Sequence, residues 1–250
     1  MITNKDSNKI KVLGIIPARG GSTGIPRKNI RLVAGKPLIY YTIQEAQKSK
    51  LLDAFIVSTD DQEIAEIAKS YGADVPFLRP KKFAQKYSAE IEYQQHALDW
   101  LEKNRGWKPD IVAIMKPTSP LRPASDIDKA IKLLQKGNYS MTRTVAKPQH
   151  HPYRVWQFKK GSAEMACLLP EMGTAKDFER WGDYIPRQRL PDVYFYNGAV
   201  DVTWSKNINR GSAAVFAGPI GGVIVDPSTS YDIDEPSDLD EIGKIISKRI

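Results

Sequence analysis

The sequence predicts an α/β protein with a mostly parallel central sheet flanked by helices. Short apolar runs rich in valine and isoleucine alternate with longer stretches whose apolar residues recur every three or four positions. Strands that alternate with helices in this way form a parallel sheet with both faces covered. The 250 residues, of which 41% are hydrophobic, suffice for one large domain of this class.

Four apolar runs predict buried strands. Each is short, rich in β-branched residues and bounded by proline, glycine or polar residues. The runs cover residues 10–18, 55–59, 110–117 and 221–226.

Helical spacing predicts four helices among these strands and one at the C-terminus. Pro37 suits the first turn of the first helix, Gly72 the end of the second, and Pro236 the start of the last. The predicted helices cover residues 37–49, 61–72, 89–104, 124–137 and the segment from 235 onwards.

Residues 145–215 interrupt this alternation. Aromatic residues, prolines and charges mix there with strand-like alternation, and no helix is predicted. We therefore expect a single domain, residues 1–250, with a β-rich excursion at about 145–215 that serves as a lid or an oligomer contact.

Composition argues against several classes of function. Cys167 is the only cysteine, so an internal disulfide is excluded and a reducing, cytoplasmic setting is expected; with three histidines, a zinc site is not favoured. No apolar run is long enough to span a membrane, and the polar start, residues 1–10, reads as a loose tail without a signal peptide's apolar centre. The net charge of +8 is not concentrated in one block, which favours an anionic small molecule over nucleic acid as partner.

Polar loops follow the first three predicted strands: ARGGSTG (18–24), STDD (58–61) and KPTSPLR (116–122). Because parallel strands end at the same edge of a sheet, we expect these loops to converge on a ligand.

The first loop, within IIPARGGSTGIPRKNI (15–30), has the composition of a polyphosphate site. Glycines let backbone amides approach an anion and adopt positive φ, while the cations supply charge. The loop matches neither G-x-x-x-x-G-K-[ST] nor G-x-G-x-x-G. The residues concerned are Arg19, Gly20, Gly21, Gly24, Arg27 and Lys28.

This loop resembles the signature loop of the acylneuraminate cytidylyltransferase (CMP-sialic acid synthetase) family. The resemblance continues in GKPLIYYTI, IVSTDDQEIAEIAKSYGADVPFLRP, KPTSPLRPASDID, PRQRLPDVYFYNGAV and YDIDEPSDLD, in order over nearly the whole chain. It implies a Rossmann-like fold of the nucleotidyltransferase type that transfers CMP from CTP to the anomeric hydroxyl of an acidic nine-carbon sugar, with Mg²⁺ and release of pyrophosphate. It also implies a homodimer formed through the β-rich extension.

The resemblance assigns residues to the nucleotide. Arg79 lies in FLRP, where the alternative is an ordinary surface arginine. The nucleotide-binding set is Arg19, Gly21, Ser22 and Lys28 at the triphosphate, Asn29 at the ribose, and Arg79 and Ser88 at the base. Arg19 and Lys28 are also assigned to catalysis, together with Asp234.

Asp232 and Asp234, in YDID, are the implied metal ligands. In an extended segment both carboxylates point to one side while Ile233 points to the interior. Carboxylate oxygens suit Mg²⁺. The alternative is that the two aspartates cap the helix that Pro236 opens.

The acceptor sugar is assigned to six residues. Arginine binds a carboxylate through two parallel hydrogen bonds, so two arginines in this set suit an acidic acceptor; ordinary ion pairs are the alternative. The six are Lys116, Thr118, Ser119, Arg154, Arg187 and Asn197.

Four positions depart from the family pattern. Thr23 replaces a lysine, and losing such a charged contact costs roughly 1.5–3 kcal/mol unless Arg27 compensates. Lys116, Phe195 and Asp201 replace glutamine, arginine and tyrosine on the acceptor side. The acceptor is therefore expected to be a nonulosonic acid such as N-acetylneuraminic, legionaminic or pseudaminic acid. Two other classes stay open: a nucleotidyltransferase using GTP or UTP with a sugar 1-phosphate, and a non-catalytic nucleotide-binding protein.

Overall fold

A computed structural model describes residues 9–167 and 185–249 and confirms the α/β class. The strands are β1 Val12–Pro17, β2 Leu32–Val33, β3 Lys36–Pro37, β4 Ala54–Ser58, β5 Ile111–Met115, β6 Met141–Ala146, β7 Trp156–Phe158, β8 Met165–Cys167, β9 Phe195–Trp204 and β10 Ile220–Ile224. Six of them form the central sheet in the order β10-β6-β9-β5-β1-β4. β1 is parallel to β4 and β5, and β10 is parallel to β6, whereas β9 is antiparallel to β5.

The predicted helices also form, each within a few residues of its expected bounds. Pro37 is the residue before the first helix rather than part of its first turn, Gly72 has φ 85° just after the second, and Pro236 opens the last. The helices are α1 Leu38–Lys48, α2 Gln62–Ser70, α3 Glu90–Arg105, α4 Ala124–Lys136, α5 Ser205–Asn209, α6 Ser212–Val215 and α7 Pro236–Ser247.

The segment 145–215 differs from the expectation in two ways. Its last part includes β9, which pairs with β5 inside the central sheet, and the helices α5 and α6 follow, so the expected absence of helix is wrong. Helices of five and four residues are too short to show a helical period in the sequence. Residues 146–195 form one compact unit, in which β7 and β8 pair as a hairpin, and the chain on either side forms a larger unit. Residues 168–184 of the expected excursion, and 1–8 of the expected tail, lie outside the described residues.

Two buried clusters of the larger unit position the loops. α3, α5 and α6 pack on one face of the sheet against Leu13 and Ile15, while Val12 and Ile16 are buried on the other face. A second cluster joins Ile233, just before α7, to residues of α1 and α7. Within the described ranges, no helix is long and apolar enough to cross a membrane.

Candidate active site

A cavity of about 320 Å³ lies beyond the carboxyl ends of β1 and β5, in the larger unit. We call it the Arg19 cavity. The second predicted loop adjoins the first, since Gly20 N donates to Asp60 Oδ1 at 2.9 Å. Eight residues predicted for the site line this cavity: Arg19, Ser22, Lys28, Asn29, Arg79, Ser88, Lys116 and Thr118.

Close packing, not positive φ, explains two glycines of the first loop. A Cβ on Gly20 would lie 2.7 Å from Asp61 Oδ2, and one on Gly24 would lie 2.8 Å from Asp234 O. The expectation of positive φ at these glycines is wrong, because the left-handed residue of the loop is Arg27, at φ 58°. Contacts on two sides therefore determine the path of the loop.

Arg27 anchors the loop to α2. Its guanidinium forms ion pairs with Asp61, which caps α2, and with Glu63. Burial opposes the charge on Asp61, but the hydrogen bonds from Arg27 and from the helix backbone hold the pKa of Asp61 below its usual value. Arg27 thus shapes the loop. It does not line the cavity, contrary to the expectation that it compensates there for the lysine that Thr23 replaces.

Arg19 and Lys28 bring positive charge into the cavity from either end of the loop. Arg19 Nη1 donates to Gln85 O at 3.1 Å, and no carboxylate of the described residues forms an ion pair with it. Lys28 Nζ donates to Ile233 O at 2.5 Å and lies 3.4 Å from Asp234 Oδ1. Lys28 therefore links the glycine loop to the segment that holds the predicted metal ligands.

Asn29 and Ser88 support the walls of the cavity. Asn29 is 8% exposed, and its Nδ2 donates to Arg19 O at 3.0 Å. Ser88 Oγ donates to Lys82 O at 2.9 Å and accepts from Gln85 N at 3.0 Å. Both side chains thereby hold backbone in place next to the cavity.

Arg79 is a buried residue of the cavity wall, so the surface alternative is wrong. It is 5% exposed and lies 4.5 Å from the ring centroid of Tyr93. Its Nε donates to Ser58 Oγ at 3.0 Å and its Nη2 to Ser58 O at 2.6 Å. Burial lowers the pKa of Arg79. Nη1 has no hydrogen-bond partner among the described residues, which leaves a donor for a ligand in this cavity.

The segment Asp232–Asp234 runs along the rim of the same cavity. Ile233 is fully buried, and its N donates to Thr118 O at 2.9 Å. Asp232 and Asp234 on either side are exposed, as the alternation of an extended chain predicts. Thr118 and Lys28, which contact this segment, both line the Arg19 cavity.

Glu235 is the N-cap residue of α7 and Asp238 belongs to its capping box, so the alternative that Asp232 and Asp234 cap this helix is wrong. The Asp238 carboxylate holds the chain just before the helix. Its Oδ2 accepts from the N atoms of Asp234 and Glu235, both at 2.8 Å, and these hydrogen bonds lower the pKa of Asp238. The carboxylates of Asp232 and Asp234 remain for a ligand. No three His, Cys, Asp or Glu side chains of the described residues group as a metal site, so a cation here would need further oxygens, as Mg²⁺ takes from water and phosphate.

A second cavity, of about 310 Å³, shares Lys116 and Glu90 with the first. We call it the Asp201 cavity. Lys116 Nζ pairs with Glu90 Oε1 at 2.7 Å. Arg143 Nε lies 3.1 Å from Asp201 Oδ1, and the Arg143 guanidinium lies 3.7 Å from the ring centroid of Tyr196. Tyr196 OH in turn donates to Asp201 Oδ2 at 2.5 Å. Each cation of this cavity is therefore neutralised by a carboxylate.

Besides Asp232 and Asp234, three predicted residues of the larger unit line neither cavity. Gly21 is exposed, and Ser119 is fully buried. Asn197 is 5% exposed, and both ends of its amide are bonded inside the fold: Oδ1 accepts from Thr144 Oγ1 at 2.6 Å and Nδ2 donates to Ser230 Oγ at 3.0 Å. The structure gives Asn197 a role in holding β9, and its contact with a sugar stays a prediction.

Arg154 and Arg187 belong to the smaller unit. They line a cavity of about 260 Å³ there, together with Lys147, His150 and His151. The cavity is rich in basic groups, as an anion site requires. Their assignment to the acceptor also stays a prediction.

Several residues that line the cavities were not identified from the sequence, and they include four with charged or aromatic side chains that could contact a ligand. Lys86, Glu90 and Arg143 are charged residues of a kind that usually marks solvent-exposed surface, so nothing in their type signals a site. Tyr93 carried a usable signal, because the helical period of α3 places it on the buried side.

Comparison with known proteins shows which proteins this chain is similar to. A family model described as cytidylyltransferase matches residues 13–180. The CMP-N,N'-diacetyllegionaminic acid synthase of Legionella pneumophila is 32% identical over 235 residues, 92% of this chain and 93% of that protein. The pseudaminic acid cytidylyltransferase of Campylobacter jejuni is 44% identical over 112 residues, 45% of this chain and 48% of that protein.

A solved structure of similar fold extends the comparison. It is a CMP:2-keto-3-deoxy-manno-octonic acid synthetase complexed with CTP, which matches with a TM-score of 0.69 and 13% identity and covers 96% of this chain and 100% of that one. At this identity the likeness shows the fold alone. From the family match and the near full-length relative, we conclude that the chain belongs to the cytidylyltransferase family of nucleotidyltransferases, as its resemblance to the acylneuraminate cytidylyltransferases indicated.

Proposed function

We propose that this protein transfers CMP from CTP to the anomeric hydroxyl of a nonulosonic acid, releasing pyrophosphate and forming the CMP-sugar. One observation carries the proposal: a single cavity contains Arg19 and Lys28, and Lys28 also contacts Asp234 at the rim. Cations and a carboxylate so arranged suit a polyphosphate with its metal ion.

The nucleotide lies along the Arg19 cavity in this proposal. Arg79, held by Ser58 and stacked on Tyr93, offers its free Nη1 to the base from a rigid position. Arg19, Ser22 and Lys28 bind the triphosphate, and their charge offsets the negative charge of the departing pyrophosphate. Because Arg79 is buried and fixed, its donor has one position and does not reorganise on binding. It therefore favours a base whose acceptor atoms match that position.

The reaction itself requires mainly positioning and neutralisation of charge. The anomeric oxygen attacks the α-phosphorus in line, the bond from that phosphorus to the bridging oxygen breaks, and pyrophosphate leaves. The hydroxyl proton passes to solvent or to a base that the described residues do not single out.

Asp232 and Asp234 would hold Mg²⁺ at the rim of the cavity. The ion, when bound, supplies a positive charge that polarises the phosphate oxygens. The chain's own contribution is to keep these carboxylates available, since Glu235 and Asp238 form the capping box of α7 in their place.

The acceptor binds where the Arg19 and Asp201 cavities meet, beside Lys116 and Thr118. Two observations favour a nonulosonic acid other than N-acetylneuraminate: Lys116 and Asp201 depart from the acylneuraminate pattern, and the relatives named above act, by name, on legionaminic and pseudaminic acids. Arg154 and Arg187 would contact the acceptor's carboxylate or the phosphates. A homodimer formed through residues of the smaller unit and a cytoplasmic location complete the proposal.

Pyrophosphate release measured with CTP and a panel of nonulosonic acids tests this function, with GTP and UTP as controls. We expect release with CTP and at least one legionaminic- or pseudaminic-type acid. Release only with GTP or UTP and a sugar 1-phosphate would assign the chain to that other class. Nucleotide binding without any release would indicate a non-catalytic protein.

A further inference from the structure

The loop from Lys81 to Ser88 forms one wall of the Arg19 cavity. Its residues Phe83 to Lys86 and Ser88 line the cavity, between the end of a short 3₁₀ helix and the start of α3. Gln85 is fixed at both of its backbone polar groups, because its N donates to Ser88 Oγ and its O accepts from Arg19 Nη1. The Arg19 guanidinium therefore contacts the peptide group that joins Gln85 to the next residue, and this contact fixes the backbone of that residue.

That residue is Lys86, an exposed lysine that is among the residues lining the cavity. Its contact among the described residues is with a ring: Nζ lies 5.3 Å from the ring centroid of Tyr87. The other two lysines of this cavity have carboxylate partners, Asp234 for Lys28 and Glu90 for Lys116. Lys86 forms no ion pair among the described residues, so no carboxylate balances its charge at the edge of the cavity.

We propose that Lys86 binds the polyphosphate of the nucleotide beside Arg19, as a further cation that comes from outside the glycine loop. The inference rests on the proposed function and adds a specific residue to it. Arg19 and Lys86 project from segments almost 70 residues apart, and the bond from Arg19 to Gln85 O joins them on one side of the cavity. Two cations without carboxylate partners on one side of a cavity create a positive potential that favours an anionic ligand.

The same geometry separates the polyphosphate from the acceptor carboxylate as the target of Lys86. Lys86 lines the Arg19 cavity and does not line the Asp201 cavity, whereas Lys116 lines both. Because Lys86 lines the Arg19 cavity alone of the two and follows the residue that Arg19 contacts, its partner in this proposal is the phosphates. Loss of Lys86 should therefore affect nucleotides in proportion to their phosphates.

Calorimetric titration of the full-length protein with CMP, CDP and CTP tests the proposal, using Lys86→Gln, Lys86→Arg and the matched control Lys82→Gln. Lys82 belongs to the same loop and has the same charge, but it does not line the cavity and lies over Phe83. We expect Lys86→Gln to weaken CTP binding about tenfold, as for loss of one charge-assisted contact, with CMP changed less than about twofold. Lys86→Arg should restore most of the CTP affinity, and Lys82→Gln should leave it unchanged.

Three results would overturn the proposal: unchanged CTP binding in Lys86→Gln, equal weakening of CMP and CTP, or equal weakening in Lys82→Gln. Thermal unfolding of each variant verifies that the fold is intact. Titration of the wild type distinguishes a failure of the proposed function from a failure of the role proposed for Lys86. If the wild type binds UTP or GTP in place of CTP, the proposed function fails while the role of Lys86 is tested with that triphosphate and its monophosphate. If it binds no triphosphate, both fail.

Discussion

The Arg19 and Asp201 cavities adjoin each other and share one ion pair, Lys116 with Glu90, but they differ in whether their arginines have carboxylate partners. In the Arg19 cavity, the Arg19 guanidinium has a carbonyl, Gln85 O, as its hydrogen-bond partner and forms no ion pair with a carboxylate of residues 9–167 or 185–249. In the Asp201 cavity, Arg143 is paired with Asp201 and Lys116 with Glu90. An unbalanced cationic wall binds phosphate by charge, whereas a wall of paired charges selects its ligand by shape and hydrogen bonds. From this difference we expect nucleotide and acceptor to be recognised by separate sets of residues, whose contributions mutations can distinguish.

The largest effect is expected from Asp234→Asn, which should lower Mg²⁺-dependent pyrophosphate release at least roughly 100-fold, because the metal's charge contributes several kcal/mol to such a reaction. Asp240→Asn, an exposed aspartate on α7, is the matched control and should change little. Steady-state turnover with CTP and the best acceptor measures both. Full turnover in Asp234→Asn would remove Asp234 from the site.

Arg19→Ala should raise the CTP concentration needed for half-maximal turnover by about 10- to 100-fold, since a hydrogen bond to a charged group is worth roughly 1.5–3 kcal/mol. The acceptor requirement should change much less, because Arg19 does not line the Asp201 cavity. Arg31→Ala, an exposed arginine near the same loop, serves as control. Equal changes for both substrates would contradict the separation of the two cavities.

Lys116→Gln should change the acceptor requirement more than the CTP requirement, the reverse of the result expected for Arg19→Ala. It leaves Glu90 without its partner beside the acidic acceptor, so the acceptor's KM should rise about tenfold and the CTP requirement much less. The double variant Glu90→Gln/Lys116→Gln should recover much of the loss, since it removes the unpaired carboxylate. A loss confined to CTP would move Lys116 to the nucleotide side.

The smallest effect is expected from Thr23→Lys. Thr23 is exposed and does not line the Arg19 cavity, so an added lysine should tighten CTP binding by no more than about fivefold, the range of an exposed ion pair. Titration with CTP measures this change. A gain of 100-fold would mean that the loop lacks an essential cation.

Much of the architecture could be predicted because it depends on local patterns. Strands and helices follow from periodicity, and the meeting of Arg19 with Thr118 follows from the parallel order of β1 and β5. The burial of Ile233 between two exposed aspartates follows from alternation. The periodicity and the alternation involve only residues close to one another in the sequence, and the meeting of Arg19 with Thr118 needs in addition the rule that parallel strands end at one edge of the sheet.

Features that depend on contacts distant in the chain could not be predicted. The sequence around Arg27 does not reveal that Asp61 and Glu63 bind it, and FLRP does not reveal that Ser58 and Tyr93 bury Arg79. The glycine at 24 is needed because the backbone of Asp234 passes beside it. Each case requires the partner segment to be placed first.

The central claim is that the cationic loop and Asp234 act on the same nucleotide. Measuring the dissociation constant of CTP with and without Mg²⁺, in the wild type and in Asp234→Asn, tests it most directly. The account predicts that Mg²⁺ tightens CTP binding in the wild type and does so far less in Asp234→Asn. An equal enhancement by Mg²⁺ in both proteins would contradict it.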